Sequence, residues 1–204
     1  MKSRLLLIAA FLSVSSLWSH AQSTVNFAAG TGQRDIYGIE NKPLADGNYV
    51  SIGFFDPGFN ILGYLNDLQA MSEAWNEYGS TTVRTIFGEP GRFAGNGSSS
   101  DPFFTDQPIY LWIFETSDAS APLSGFGNVV GYGLYTSNDP DWIFPTQGSL
   151  PPNNTTSVNS SDVDETLFGF YDASHLVLQP IPEPTALALL LLAAPLYVLA
   201  KRRS

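Results

Sequence analysis

Short apolar runs, separated by Gly, Pro, Asn and Asp, recur along the middle of this chain. The run Ile109–Phe114 is almost continuously apolar, which is typical of a strand buried on both faces. Stretches 95–106 and 145–164 are rich in Gly, Ser, Pro or Asn and predict loops. Further strands, bounded by turn-forming residues, are predicted at Thr24–Ala28, Asn48–Phe55, Val129–Thr136, Leu167–Tyr171 and His175–Leu178.

One segment has a helical period instead. In Leu65–Tyr78, apolar residues recur at spacings of three, four and three, which places them on one helix face. Asn66 or Asp67 is the candidate N-cap, and Gly79 is the candidate stop. The segment therefore predicts a helix that covers one face or end of a sheet. Together the patterns predict an all-β fold, a predominantly antiparallel β-sandwich with one accessory helix.

The N-terminus has the pattern of a secretory signal peptide. Two basic residues precede an apolar stretch at Leu5–Leu17, and small residues then occupy the −3 and −1 positions of a cleavage site. We predict a signal peptide over residues 1–21, cleaved between Ala21 and Gln22. The alternative is an uncleaved N-terminal anchor, which fits less well because the apolar stretch is short for a bilayer span.

A second hydrophobic segment lies at the C-terminus. The apolar run Thr185–Ala200 has 16 residues, which makes about 24 Å of helix against a hydrocarbon core of about 30 Å. Pro195 interrupts the run and would kink a helix there. The run predicts a transmembrane helix held temporarily in a membrane, with an ordinary tail anchor as the alternative. A Pro-Glu-Pro step precedes it, and a basic cluster, which the positive-inside rule leaves in the cytoplasm, follows it: Pro182, Glu183, Pro184, Lys201, Arg202 and Arg203.

The order of these three parts resembles the sorting signal of the PEP-CTERM family. The resemblance covers residues 181–204 and includes the motif Pro182–Pro184, the hydrophobic run and the terminal basic cluster. It implies that the protein is sorted, and processed at or near the motif, by the membrane peptidase exosortase in a bacterium that makes exopolysaccharide. It implies no activity for the domain in front of the tail, because the cargo of this family varies widely.

The charge of the chain between the two signals is strongly negative. Residues 22–180 contain four basic and 18 acidic residues, so their formal net charge is −14. Nucleic acid is therefore disfavoured as a partner, since phosphate contact needs clustered Lys or Arg. Anionic lipid headgroups are disfavoured for the same reason. The chain has no cysteine, which excludes disulfides, thiol catalysis and thiolate metal sites.

Motifs for catalysis are missing from the sequence. Once the signal peptide is removed, His175 is the only histidine, and neither Gly-x-Ser-x-Gly nor His-Glu-x-x-His occurs. We interpret His175 as structural and predict that the protein is not an enzyme. The alternative for catalysis is a carboxylate-based glycan hydrolase or lyase, which would require two acidic residues close together in a cleft.

Two acidic loops and one tryptophan are the candidates for ligand binding. Asp139 and Asp141, and then Asp162 and Asp164, offer the oxygen ligands that Ca²⁺ prefers, although neither loop matches an EF-hand. The alternative is that these are ordinary loops of an acidic protein, with no cofactor. Trp142 is the candidate platform for stacking a sugar, and its alternative is a structural anchor beneath its loop.

These patterns lead to two main functional hypotheses. The first is an exported, exosortase-sorted protein of the cell surface or extracellular matrix, with no catalytic activity. Its partners would be the export machinery, the exosortase-type peptidase and the membrane that holds its C-terminal helix. The alternative is a carbohydrate-binding module that acts on exopolysaccharide, so polysaccharide is a possible further partner.

Overall fold

The computed structural model describes residues 22–118, 125–146 and 154–181. This part of the chain is mostly β-structure, in largely antiparallel sheets with one α-helix, as the sequence predicted. No helix within these described residues is long and apolar enough to cross a membrane. The signal peptide predicted at 1–21 and the transmembrane helix predicted at 185–200 lie outside them.

In chain order, the elements are β1 (Ser23–Ala29), β2 (Asp35–Tyr37), β3 (Tyr49–Phe55), α1 (Leu68–Glu73), β4 (Trp75–Thr82), β5 (Arg84–Ile86), β6 (Glu89–Ser99), β7 (Tyr110–Thr116), β8 (Val129–Thr136), β9 (Asn154–Asn159), β10 (Glu165–Phe168), β11 (Phe170–Tyr171), β12 (His175–Val177) and β13 (Gln179–Pro180).

Two sheets share the main core. A six-stranded sheet has the order β10-β8-β7-β3-β4, with β13 also beside β8, and a four-stranded sheet has the order β5-β6-β1-β9. Val25 and Phe27 of β1 meet Ile52 and Phe54 of β3 in one buried cluster, because alternate residues of a strand face the same side. The run Ile109–Phe114, predicted to be a strand buried on both faces, forms most of β7, which lies between β8 and β3. The pairings of β1 with β9 and of β2 with β12 are parallel, and the remaining pairings are antiparallel.

The helix is shorter than the sequence predicted. The carboxylate of Asp67 caps α1 by accepting a backbone hydrogen bond at 3.0 Å. Leu68 and Met71 then pack into a second buried cluster on the outer face of the six-stranded sheet. The continuation of the helix to Tyr78 is wrong, because Trp75 and Tyr78 belong to β4. Residues three apart on a strand face opposite sides, so Trp75 joins the outer cluster and Tyr78 the main core.

Several glycines that predicted breaks instead allow two strands to pass closely. Gly79, predicted to end the helix, lies inside β4, where a Cβ would come within 2.7 Å of the Gly97 Cα in β6. The predicted loop 95–106 begins with the second half of β6, which pairs with β1. The predicted loop 145–164 likewise contains β9. Glycine here permits close packing between the sheets rather than a turn.

The antiparallel registers define two ends of the six-stranded sheet. Tyr49 of β3 lies opposite Thr82 of β4, and Thr116 of β7 lies opposite Val129 of β8. Asn48 connects these pairs, since its Oδ1 accepts a hydrogen bond from the Thr116 N–H at 2.8 Å. β13 runs along β8 toward this end, which we call the exit end because the described chain leaves there. The opposite end, where β7 begins and β8 ends, is called the cleft end, after a cleft described in the next section.

A separate three-stranded sheet contains β11, β12 and β2. His175 in β12 lies against the Tyr37 ring, with 4.1 Å between ring centroids. Its Nδ1 is 3.2 Å from the Asp172 carboxylate. The hydrogen bond from the Ser174 N–H, followed by that from His175, lowers the pKa of Asp172. These contacts fit the interpretation of His175 as a structural residue of the turn between β11 and β12.

Candidate functional site

The residues that follow β8 fold back along those that precede β7. The Ile109 N–H donates to the Trp142 carbonyl at 2.8 Å, and the Phe144 N–H donates to the Gln107 carbonyl at 2.9 Å. The Asp106 N–H then donates to the Phe144 carbonyl at 3.0 Å. These bonds extend the β7–β8 pairing past the cleft end and hold the returning segment in an extended path.

Trp142 is buried at this point, with 1% of its surface exposed. Asp139 caps the turn Pro140–Trp142 by accepting a hydrogen bond from the Asp141 N–H at 2.9 Å, and the indole lies in the main core. The hypothesis of a sugar-stacking platform at Trp142 is therefore wrong, because a buried ring has no free face for a sugar. Trp142 is instead the anchor beneath its loop. Its Nε1 has no hydrogen-bond partner among the described residues, so apolar packing supplies the anchoring.

The two sequence neighbours of Trp142, which are Asp141 and Ile143, belong to the wall of an open cleft. The cleft has a volume of about 380 Å³, which lies within the range of small-molecule sites. Ile143 is 45% exposed and supplies an apolar part of the wall. The rest of the wall is dominated by oxygen and amide groups, from Asp106, Asp141, Thr146, Asn154, Thr155 and Thr156.

Hydrogen bonds join the walls of the cleft. The Thr156 hydroxyl donates to the Asp141 carbonyl at 3.0 Å, which ties β9 to the turn that carries Trp142. The Asn154 amide donates to the Thr146 carbonyl at 2.5 Å. Asp106 has a φ of 61°, a left-handed conformation that Asp tolerates better than most residues. The cleft is thus held by the fold and carries two exposed carboxylates, those of Asp106 and Asp141.

The fold brings the two acidic loops near one another. Burial raises the pKa of Asp162, and the charges of Asp139 and Asp141 raise it further. Asp164 accepts a backbone hydrogen bond at 2.9 Å, so its carboxylate holds the loop after β8. Within the described ranges, no three acidic or histidine side chains form a group that could hold a metal ion. Calcium binding by these four aspartates stays a prediction from the sequence.

The predicted sorting and cleavage residues are mostly outside the described ranges. Ala21, the motif Pro182–Pro184 and the basic cluster Lys201–Arg203 are among these. Gln22 is described and directly precedes β1. β13 ends at Pro180, two residues before the motif in the sequence.

The cleft itself was not found from the sequence. Its walls come from segments before β7, after β8 and at the start of β9, of which the first and last lie in stretches predicted as loops. No clear signal for it is present in the sequence, because Asp141 is followed by three apolar residues, which do not show that Ile143 is the exposed one. Comparison of the chain with models of protein families, with curated proteins and with solved structures finds no match. The cleft and the two ends of the folded part are therefore the features that bear on function.

Proposed function

We propose that this chain is an exported β-sandwich protein of the cell surface or extracellular matrix, without catalytic activity. Residues 1–21 direct its export, and residues 181–204 enter the membrane and are sorted by an exosortase-type peptidase. The observation that carries the proposal is the position of the folded part between these two signals. β1 begins at Ser23, the second residue after the predicted cleavage bond, and Ile181 packs against the outer cluster directly before Pro182.

Cleavage at either predicted position would leave the sheets whole. β1 supplies Val25 and Phe27 to the main core and pairs with both β6 and β9, so a cut inside it would be destabilising. β13 pairs with β8 up to Pro180, and the sorting motif starts two residues later. The first and last described strands thus lie between the two predicted signals, which supports processing on both sides of one domain.

Mass spectrometry of the protein from fractionated host cells tests this proposal. We expect an N-terminus at Gln22 and a C-terminus at or near Pro182–Pro184, in an envelope or extracellular fraction. Glu183→Ala should accumulate unprocessed in the membrane. Glu165→Gln, which changes an exposed carboxylate in β10, is the matched control and should be processed normally. If a chain that lacks residues 182–204 reached the same location as the full-length chain, the sorting proposal would be refuted.

Carbohydrate binding is a second candidate function, favoured by the cleft. The cleft lies at the end opposite the exit end, so a domain held by its tail would present it away from the membrane. Carboxylates accept hydrogen bonds from sugar hydroxyls, while the amide of Asn154 and the threonine hydroxyls can both donate and accept. The exposed side chain of Ile143 offers an apolar contact beside them. Such a wall suits a segment of polysaccharide better than an apolar ligand.

Affinity electrophoresis in gels that contain the host's purified exopolysaccharide, with dextran as the reference polymer, tests the cleft. The double variant Asp106→Asn with Asp141→Asn removes two acceptors, and Asn also tolerates the positive φ of residue 106. We expect the polymer to retard the wild type and not this variant. Glu73→Gln with Glu165→Gln makes the same change of charge at residues that do not line the cleft, and this variant should be retarded like the wild type. Equal mobility shifts for both double variants would count against binding in the cleft.

A further inference from the structure

The side chain of Phe87 is 92% exposed, more than any other large apolar side chain of the described residues. Phe87 and Gly88 form the two-residue turn between β5 and β6, where Ile86 pairs with Glu89. The φ angles of the two turn residues are 52° and 81°, the pattern of a type I′ turn. Asn, Asp and Gly are preferred at the first of these positions, and a bulky aromatic residue there is strained. The hairpin thus holds a fully exposed ring in an unfavourable conformation, which points to a function.

This turn projects beyond the exit end of the six-stranded sheet. β4 runs toward that end, and β5 continues in the same direction through Val83. The Val83 N–H donates to the Asn48 carbonyl at 2.8 Å, and the Gly47 N–H donates to the Val83 carbonyl at 2.9 Å. The Thr85 hydroxyl then donates to the Asp46 carboxylate at 3.1 Å. The chain therefore passes the start of β3 before it reaches the turn.

The C-terminal part of the chain leaves the domain at the same end. Pro180 pairs near the first residue of β8, and Ile181 is the next residue. Only Pro182–Pro184 separate Ile181 from the apolar run that begins at Thr185, and three residues span at most about 11 Å. A tail inserted in a bilayer would hold the exit end close to the membrane surface. β13 and β4 are four strand spacings apart, about 19 Å, so the turn beyond β4 would meet the same surface.

The charges at the exit end are mixed, unlike those of the whole exported part. Lys42 is exposed and pairs with Glu40 at 2.8 Å, in the loop whose backbone binds the Glu115 carboxylate at the end of β7. Arg84 is exposed in β5, and Val130, at the start of β8, adds an exposed apolar side chain. Mixed charges with apolar side chains suit the surface of a zwitterionic bilayer, where phosphate and choline groups lie together.

We propose that Phe87 is a second membrane contact, which inserts into the headgroup region of a zwitterionic bilayer beside the point where the tail enters. This inference rests on the proposed function, because it requires the tail to be in a membrane. A single aromatic side chain binds a bilayer weakly, but the tail makes its insertion intramolecular and so raises its effective concentration. Two contacts fix the orientation of the domain, with the cleft directed outward. They also hold the motif Pro182–Pro184 at a constant height for the sorting peptidase.

The experiment measures lipid contact at two exposed positions of the full-length chain. The chain is reconstituted through its tail into phosphatidylcholine vesicles, part of whose lipid carries bromine on the acyl chains and quenches nearby tryptophan. Phe87→Trp adds one indole at the turn. Leu62→Trp is the matched control, because Leu62 is 68% exposed and lies in the segment between β3 and α1 that packs on the outer cluster, rather than in the turn between β5 and β6. The quenching of each added indole is read as the difference from the wild type.

We expect the indole at residue 87 to be quenched by at least about twofold more than the indole at residue 62, since only the first lies within reach of the acyl chains. If the chain floats with the vesicles and the two positions are quenched equally, the inference about Phe87 is overturned and the proposed function stands. If the chain does not float with the vesicles, tail insertion fails, and both the proposed function and this inference are overturned.

Discussion

Replacing Phe87 by Asn is expected to stabilise the domain while it removes the exposed ring. The left-handed conformation costs an ordinary L-residue about 1–2 kcal/mol, and Asn followed by Gly is a preferred pair for a type I′ turn. Because Phe87 is 92% exposed, almost no buried apolar area is lost. We therefore expect the free energy of unfolding to rise by about 1 kcal/mol, which corresponds to a Tm increase of roughly 2–4 °C for a domain of this size.

Urea unfolding of the chain from Gln22 onward in mild detergent, followed by the emission of Trp75, Trp112 and Trp142, measures this change. Phe87→Ala is the matched control, because it removes the ring and keeps a Cβ in the strained conformation. Its stability should stay within about 0.5 kcal/mol of the wild type. Gly88→Ala places a Cβ at a φ of 81° and should lose about 1 kcal/mol. If the Asn and Ala variants were equally stable, the turn would not be strained at residue 87 and the reasoning would fail.

Three further changes test the packing and electrostatics of the domain. Arg92→Met should lower the free energy of unfolding by about 3 kcal/mol, because the Arg92 side chain is 6% exposed and pairs with Asp35 at 2.6 Å and Glu89 at 2.9 Å. A loss below about 1 kcal/mol in urea unfolding would contradict this prediction. Trp142→Ala should lower the free energy of unfolding by about 3–5 kcal/mol, and a loss below about 1 kcal/mol in urea unfolding would contradict the role of this side chain as an anchor. Asp162→Asn should stabilise the domain at neutral pH, because burial raises the folded-state pKa of this carboxyl and disfavours its ionised form. That gain should fade as the pH falls through the raised folded-state pKa and be absent well below about pH 4, where the carboxyl is protonated in both states. A gain independent of pH in urea unfolding would refute the assignment.

Strands buried on both faces were predictable from the sequence. The run Ile109–Phe114 matches β7 closely, and Val129–Thr136 matches β8. A strand that lies in the middle of a sheet and is covered on both sides must be apolar almost throughout, so its pattern is local and needs no knowledge of its neighbours. The N-cap at Asp67 was predictable for the same reason, since a cap depends on a few adjacent residues.

The end of the helix and the cleft depend on contacts that are distant in sequence. Trp75 continues the helical spacing of Leu68 and Met71, but the pairing of β4 with β3 draws it into a strand. In a helix, residues three apart lie on the same face, and in a strand covered on both sides all residues can be apolar. An apolar residue three positions after another therefore fits both a helix and such a strand, and periodicity alone cannot distinguish the two. Asp106 and Thr156 come together only because the segment after β8 folds back along the segment before β7.

The sequence by itself determined the β-rich character of the domain, its main strands, its acidity and the positions of the two predicted signals. These depend on composition and on short patterns, which report burial and local conformation directly. Only the tertiary structure decided that Trp142 is an anchor, that Gly79 and Gly97 allow two strands to pass, and that Phe87 shares an end with the C-terminal exit. Each of these depends on which distant strand lies against a residue, and a local pattern carries no information about that neighbour.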